Sequence, residues 1–169
     1  MNVGPYLYAR SMDEIQFPLT WDRTGLEAVG FEGFVPMVGM PKSLLPTEHG
    51  IYSVFRLSTD VPVFLPDNPI KKARNKIYTV EDLASNWVDG AEIVYIGKAE
   101  GAFGLHDRLG AFSRKSSSHS GGRSLWQLEG CDDLIVAWRK CSNAELVERA
   151  HLMKFAEAHG GRLPFANRR

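Results

Sequence analysis

Two charged residues lie on stripes of apolar side chains, where a charge needs a specific partner. At 100° per residue, Glu148 falls on the same face of a predicted helix as Phe155. Arg108 lies between Leu105 and Leu109 on another predicted helix. Because an isolated charge is costly to bury, each residue needs an opposite charge, a metal ion or an open cleft. A structural salt bridge between Arg108 and Glu148 meets that need as well as a functional site does.

The elements that would position these charges are three strands and two main helices. Residues 50–57, 91–97 and 133–138 are rich in β-branched and aromatic side chains, which is typical of strands. Ser142 followed by Glu145 predicts a capping box at the start of the last helix. The sequence therefore predicts an α/β fold.

The chain divides into an N-terminal extension and one domain. Residues 1–47 are rich in Gly, Pro and aromatics, and we expect them to pack on the core of a domain at 48–169. Residues 57–91 contain the Pro-rich stretch VPVFLPDNP, which excludes a central strand. They also contain a basic run, which is either a solvated surface or a contact for a phosphate backbone: Lys71, Lys72, Arg74 and Lys76.

Composition narrows the function classes. The 169 residues include 20 Lys+Arg and 20 Asp+Glu, so the zero net charge excludes a uniformly basic surface but leaves a local basic patch open. Cys131 and Cys141 are too few for a disulfide framework and lack the partners of a zinc site. Without a targeting signal or an apolar run of about 20 residues, we expect a soluble cytoplasmic protein with no membrane partner.

Two short motifs carry a resemblance to a known family. Gly50-Ile51-Tyr52 and Tyr95-Ile96-Gly97 match the two signatures of the GIY-YIG nuclease superfamily, which this chain resembles over residues 48–167. Four further residues stand in the order that the family shows: Lys98, Arg108, Glu148 and Asn167.

The resemblance implies a small central, mainly antiparallel three-stranded sheet flanked by helices, with an insertion at about 57–91. It also implies metal-dependent hydrolysis of phosphodiester bonds in DNA. Glu148 would hold Mg²⁺ or Mn²⁺, which binds through one carboxylate and several waters, and Arg108 would contact the phosphate. Two alternatives are a non-catalytic nucleic-acid-binding module on the same fold and a nuclease that processes RNA or branched DNA.

The family's tyrosines are the candidates for the general base. A free phenol has a pKa of about 10 and is a poor base at neutral pH unless its anion is favoured. A nearby Lys98, Arg108 or the metal would have to provide that lowering of the pKa. We expect Tyr52 to be the base and Tyr95 to orient water or phosphate, although the two roles can be exchanged. Asn167 would support the site by hydrogen bonds, or it is a plain turn residue.

The chain departs from the family pattern in three places. Tyr52 and Tyr95 are separated by 42 residues instead of a short hairpin. The loop between Lys98 and Arg108 is a few residues longer than is usual in the family. Residues 121–128 (GGRSLWQL) match the GGR-x-x-WQL block of a subgroup of the superfamily. This block supplies further candidates for nucleic-acid contact, namely Arg123, Trp126 and Gln127, with Trp126 as a core residue the alternative.

Overall fold

The computed structural model describes residues 15–70, 77–116 and 122–168. In these ranges it is an α/β structure built on one antiparallel sheet of four strands, in the order β1-β4-β2-β3. The strands are β1 (Glu32–Pro36), β2 (Gly50–Phe55), β3 (Ile93–Ala99) and β4 (Ile135–Lys140). The α-helices are α1 (Arg23–Ala28), α2 (Val80–Asn86), α3 (Gly104–Ser113) and α4 (Ala144–Ala158). No helix of the described ranges has the length and apolarity that a membrane span requires.

The sheet has four strands and not the expected three, because β1 is added at one edge. It comes from the predicted N-terminal extension and pairs with β4, so that Glu32 lies opposite Trp138. Its register shifts between Gly33 and Val35, which is a β-bulge, and its last residue is Pro36. A bulge and a proline are tolerated on an edge strand, but they interrupt the alternation that identifies a strand in sequence. Residues 32–36 are therefore part of the sheet and not only a covering for it.

The two faces of the sheet carry different hydrophobic clusters. Helix α3 packs on one face, where Leu109 and Phe112 join the cluster that contains Tyr52 and Tyr95. Helix α4 packs on the other face, where Phe155 joins a second cluster. The expected stripes on the two helices are thus the surfaces that each helix buries.

Helix α4 begins one residue later than the capping box predicts. Its N-cap is Asn143, whose side chain accepts a hydrogen bond from the backbone N–H of Leu146 at 3.3 Å. Ser142 is therefore not the cap. Glu145 bonds elsewhere, because its carboxylate pairs with Lys98.

The insertion between β2 and β3 contains α2 and, among its described residues, otherwise only loops and one isolated bridge between Phe64 and Leu128. The proline-rich stretch forms no strand, in agreement with the sequence. The predicted basic run lies outside the described residues: Lys71, Lys72, Arg74 and Lys76.

The outer edge of β3 is covered by the C-terminal segment. The backbone N–H of Ala166 donates to the carbonyl of Val94 at 2.8 Å. The Asn167 side chain accepts from the N–H of Ile96 at 2.9 Å and donates to the carbonyl of the same residue at 2.7 Å. One amide thus pairs with both backbone groups of the residue between Tyr95 and Gly97, which fixes the edge strand at the second signature.

Asn167→Ala should lower the free energy of unfolding by about 1–3 kcal/mol, because it leaves the N–H and C=O of Ile96 without their partner. Urea denaturation measures this change. Asn86→Ala is the matched control, since the Asn86 amide bonds to the carbonyl of Asp82 on the exposed helix α2. We expect less than about 0.5 kcal/mol for the control, and equal losses in the two variants would contradict the role of Asn167.

Candidate active site

The two signature tyrosines meet on one face of the sheet. Strands β2 and β3 pair so that Tyr52 lies opposite Gly97 and Val54 lies opposite Tyr95. The phenols are therefore diagonal neighbours on the same face, and their ring centroids are 5.9 Å apart. Both rings also contact Phe112 of α3, with centroid distances of 5.7 Å from Tyr52 and 6.0 Å from Tyr95.

Gly97 makes this arrangement possible. A Cβ atom at this position would lie 2.5 Å from Cζ of Tyr52 and 2.8 Å from Cε1 of Tyr95. Both rings thus occupy the space that a side chain on residue 97 would fill. The glycine of the second signature is required by the close approach of the phenols to the strand.

Arg108 reaches the phenols from α3. Its Nε donates a hydrogen bond to the hydroxyl of Tyr52 at 3.3 Å. Burial raises the pKa of Tyr52 well above its ordinary value near ~10, and the positive charge of Arg108 offsets only part of this effect. Burial also raises the pKa of Tyr95. Within the described residues, the net effect is a raised pKa for both phenols.

The two hydroxyls are not equivalent. Burial raises the pKa of both phenols, and the contact between them raises the pKa of Tyr52 and lowers that of Tyr95. Tyr52 is 0% exposed, whereas Tyr95 is 5% exposed. Of the two, Tyr95 is the phenol whose anion the site favours.

Glu148 is half-buried on α4. Burial raises the pKa of its carboxyl, while the positive charges of Lys98 and Arg108 act in the opposite direction. Its negative charge also raises the pKa of Tyr95, so it belongs to the same electrostatic site. Within the described residues, the Glu148 carboxylate forms no ion pair within 4.0 Å. The structural salt bridge with Arg108, which the sequence left open, is not formed.

Lys98 forms ion pairs with two carboxylates that the sequence analysis did not assign to it. Its Nζ lies 3.3 Å from Oε2 of Glu100 and 3.4 Å from Oε2 of Glu145. Glu100 also accepts the backbone N–H of Glu145 at 3.1 Å, which joins the end of β3 to the start of α4. Burial lowers the pKa of Lys98, but the two carboxylates raise it above its ordinary value. Lys98 therefore acts as a fixed positive charge and not as a base.

The predicted nucleic-acid contacts Trp126 and Gln127 are buried, 1% and 0% exposed respectively. Trp126 packs against Phe112 in the core. The amide of Gln127 donates to the carbonyls of Leu65 and Tyr78 and accepts the N–H of Tyr78, so it attaches the insertion to the core. Both side chains therefore belong to the core, and neither is exposed for contact with nucleic acid.

Arg123, the remaining member of this set, is half-buried, and its buried Nε has no hydrogen-bond partner among the described residues. The structure brings together Tyr52, Tyr95, Arg108 and Glu148, with Lys98 and Asn167 at their border, but it does not bring Arg123 into the same set of contacts.

The carboxylate of Glu148 suits a hard divalent cation in one respect. It is half-buried, and the charged groups around it do not bond to it. No group of three or more His, Cys, Asp or Glu residues within the described ranges is arranged to hold a metal. One carboxylate completed by waters is nevertheless a common way for Mg²⁺ to bind, so the residues fit this cation and not one that needs several protein ligands.

Comparison with known protein families, with curated proteins and with solved structures gives no match to this chain. The resemblance to the GIY-YIG nucleases stays a prediction that rests on the residues and their order.

Gly97→Ala should destabilise the fold by about 1–3 kcal/mol, because the added methyl group displaces both tyrosine rings. Chemical denaturation and the near-ultraviolet circular dichroism of the tyrosines measure this. Gly110→Ala is the control, since its Cβ would meet Cε of Lys42 at 2.9 Å and Nη1 of Arg114 at 3.4 Å, which are both near the far ends of long side chains. The control should be neutral or stabilising by up to about 1 kcal/mol. A neutral Gly97→Ala would show that the rings do not need this space.

Glu148→Gln should stabilise the protein at pH 7. A raised carboxyl pKa means that the folded state binds the proton more tightly than the unfolded chain, so the ionised form weakens folding at neutral pH. The melting temperature of the variant should exceed that of the wild type at pH 7, and the difference should vanish as the pH falls below ~4. Glu157→Gln, which removes an exposed ion pair with Lys154, should give no such gain. A destabilised Glu148→Gln would mean that the carboxylate serves the fold.

Proposed function

We propose that this chain is a metal-dependent endonuclease that hydrolyses phosphodiester bonds in DNA. The observation that carries the proposal is the half-buried carboxylate of Glu148, which forms an ion pair with no described cation. The charges of Lys98 and Arg108 act on its pKa, and its own charge acts on the pKa of Tyr95. A purely structural acid in this position would be expected to pair with Arg108. A carboxylate kept apart from nearby cations is suited to a ligand that the protein binds.

Glu148 would hold one Mg²⁺ or Mn²⁺ ion. When bound, the cation would stabilise the negative charge that develops on the phosphate and on the departing 3′ oxygen. Glu100 and Glu145 contribute negative charge to the same region, but both are bonded to Lys98. Glu148 is thus the carboxylate available as the protein ligand.

Arg108 would bind the phosphate. A guanidinium has five N–H donors, more than the bond of Arg108 to Tyr52 requires. It stays charged at every relevant pH, and its planar fork matches two phosphate oxygens. Because Nε of Arg108 is bonded to Tyr52, the fork is oriented before a substrate binds.

Tyr95, and not Tyr52, is our candidate for the general base. Burial raises the pKa of Tyr95, but the charge of Arg108 and the contact with Tyr52 both act to lower it. Tyr52 is fully buried, and burial raises its pKa well above the ordinary value. The proposal exchanges the roles that the sequence analysis favoured, because the burial of the two phenols is not visible in the sequence.

In the proposed step, the oxygen of a water molecule attacks the phosphorus atom and its proton passes to Oη of the Tyr95 phenolate. The bond between phosphorus and the 3′ oxygen breaks, and its electron pair stays on that oxygen. Because burial raises the pKa of Tyr95, the phenolate is a minor species at neutral pH. The rate of cleavage should therefore rise with pH across the neutral range.

The proposed partner is nucleic acid, with duplex DNA placed before RNA and branched DNA. We also propose the cytoplasm as its location. Both cysteines, Cys131 and Cys141, are free thiols, which suits a reducing compartment.

Cleavage by the purified chain tests the proposal. A panel of duplex, single-stranded and branched DNA and of RNA is incubated with Mg²⁺ or Mn²⁺, with and without a chelator. We expect cleavage that needs the cation and that falls at least ~10²-fold in Glu148→Ala and in Arg108→Ala, because each removes a charge that stabilises the transition state. Tyr95→Phe should remove the rise of the rate with pH.

Glu157→Ala is the matched control, since it removes an exposed glutamate of the same helix. It should cleave like the wild type, and the thermal melts of all variants should show that they fold. Cleavage that persists in folded Glu148→Ala would exclude this residue as the metal ligand. Salt-sensitive binding of nucleic acid without cleavage under every metal would favour the non-catalytic module.

A further inference from the structure

A second surface lies at the end of β2 that is remote from Lys98. Strand β2 ends at Phe55, and the chain continues into residues 56–63, which we call the Leu57 loop. Gly50, at the other end of β2, is the residue that pairs with Ala99 beside Lys98. The Leu57 loop thus lies at the opposite end of the strand.

The Leu57 loop exposes three aliphatic side chains within seven residues. Leu57 is 57% exposed, Val61 is 85% exposed and Val63 is 50% exposed. Single exposed aliphatic residues are ordinary, but a contiguous group is typical of an interaction surface.

The exposure does not come from a loose backbone. Nη1 of Arg56 donates to the carbonyls of Ser58 and Asp60 at 2.8 and 3.0 Å. The carbonyl of Val63 accepts the N–H of Glu129 at 2.9 Å. The guanidinium of Arg56 lies over the ring of Trp87, 5.5 Å from its centroid. The aliphatic side chains are therefore held outward by a fixed loop, which reduces the entropy lost on binding.

Acidic residues surround these side chains. Two open clefts, of about 320 Å³ and 420 Å³, flank the loop and share Leu57 and Val61. Five acids line the clefts: Asp60, Asp89, Glu92, Glu129 and Asp133. Among the described residues that line the clefts, Arg56 is the one base, and it is already bonded to the loop carbonyls. The surface is thus apolar at its centre and negative around it.

We infer that the Leu57 loop and its two clefts bind a segment of a partner protein in which aliphatic side chains alternate with Lys or Arg. The aliphatic side chains would pack on Leu57, Val61 and Val63, and the basic ones would meet the surrounding carboxylates. Nucleic acid and anionic membranes do not fit, because their phosphates would be repelled. This inference does not depend on the proposed nuclease activity.

Selection from a random peptide library displayed on phage, with the full chain immobilised, tests the inference. Enriched sequences should contain Leu, Ile or Val interleaved with Lys or Arg. One enriched peptide is then titrated by fluorescence anisotropy at low and high salt. Its affinity should fall at least tenfold in Val61→Ser, and it should fall with added salt and in the double variant Glu92→Gln and Glu129→Gln.

Met153→Ser is the control, because Met153 is an apolar side chain on α4 that is 64% exposed. It should leave the affinity unchanged. The inference is overturned if no sequence is enriched, if the enriched sequences are acidic, or if Val61→Ser and Met153→Ser bind alike. It is also overturned if duplex DNA competes with the peptide for this surface.

Discussion

The candidate site depends on keeping Glu148 apart from the two cations whose charges act on it. Each cation is engaged elsewhere: Lys98 by Glu100 and Glu145, and Arg108 by Tyr52. These bonds compete with an ion pair to Glu148 and leave its half-buried carboxylate available. If either set of bonds were lost, the freed cation would be expected to approach Glu148, and the site would become an ordinary buried ion pair.

The rest of the architecture holds this separation in place. The close approach of two phenols to Gly97 fixes the surface on which Arg108 lies, and Asn167 fixes β3, the strand that carries Tyr95 and Gly97. The bond between Glu100 and the start of α4 fixes the helix that carries Glu148. Rigid supports of this kind are what a site requires when it must hold an unfavourable charge before its ligand arrives.

Sequence patterns found the elements whose signal is local. Strands β2, β3 and β4 are rich in β-branched and aromatic residues, helices α3 and α4 carry apolar stripes, and a charge on such a stripe identified Arg108 and Glu148. Strand β1 was missed because a bulge at Gly33 and a terminal proline interrupt its alternation. The burial of Trp126 and Gln127 depends on contacts with Phe112, Leu65 and Tyr78, which are far away in the chain, so the sequence left a core position for Trp126 as an alternative to nucleic-acid contact and did not reveal the bonds of Gln127. The difference between Tyr52 and Tyr95 depends on burial, which a single sequence does not contain.

The role of Glu148 as metal ligand can be tested by a crystal structure with Mn²⁺ and a short DNA duplex, in which the anomalous signal locates the cation. We expect an anomalous peak at about 2.1 Å from a carboxylate oxygen of Glu148, with Arg108 on a phosphate and Lys98 still between Glu100 and Glu145. A cation bound away from Glu148, or Glu148 closed onto Arg108 with the duplex elsewhere, would contradict it.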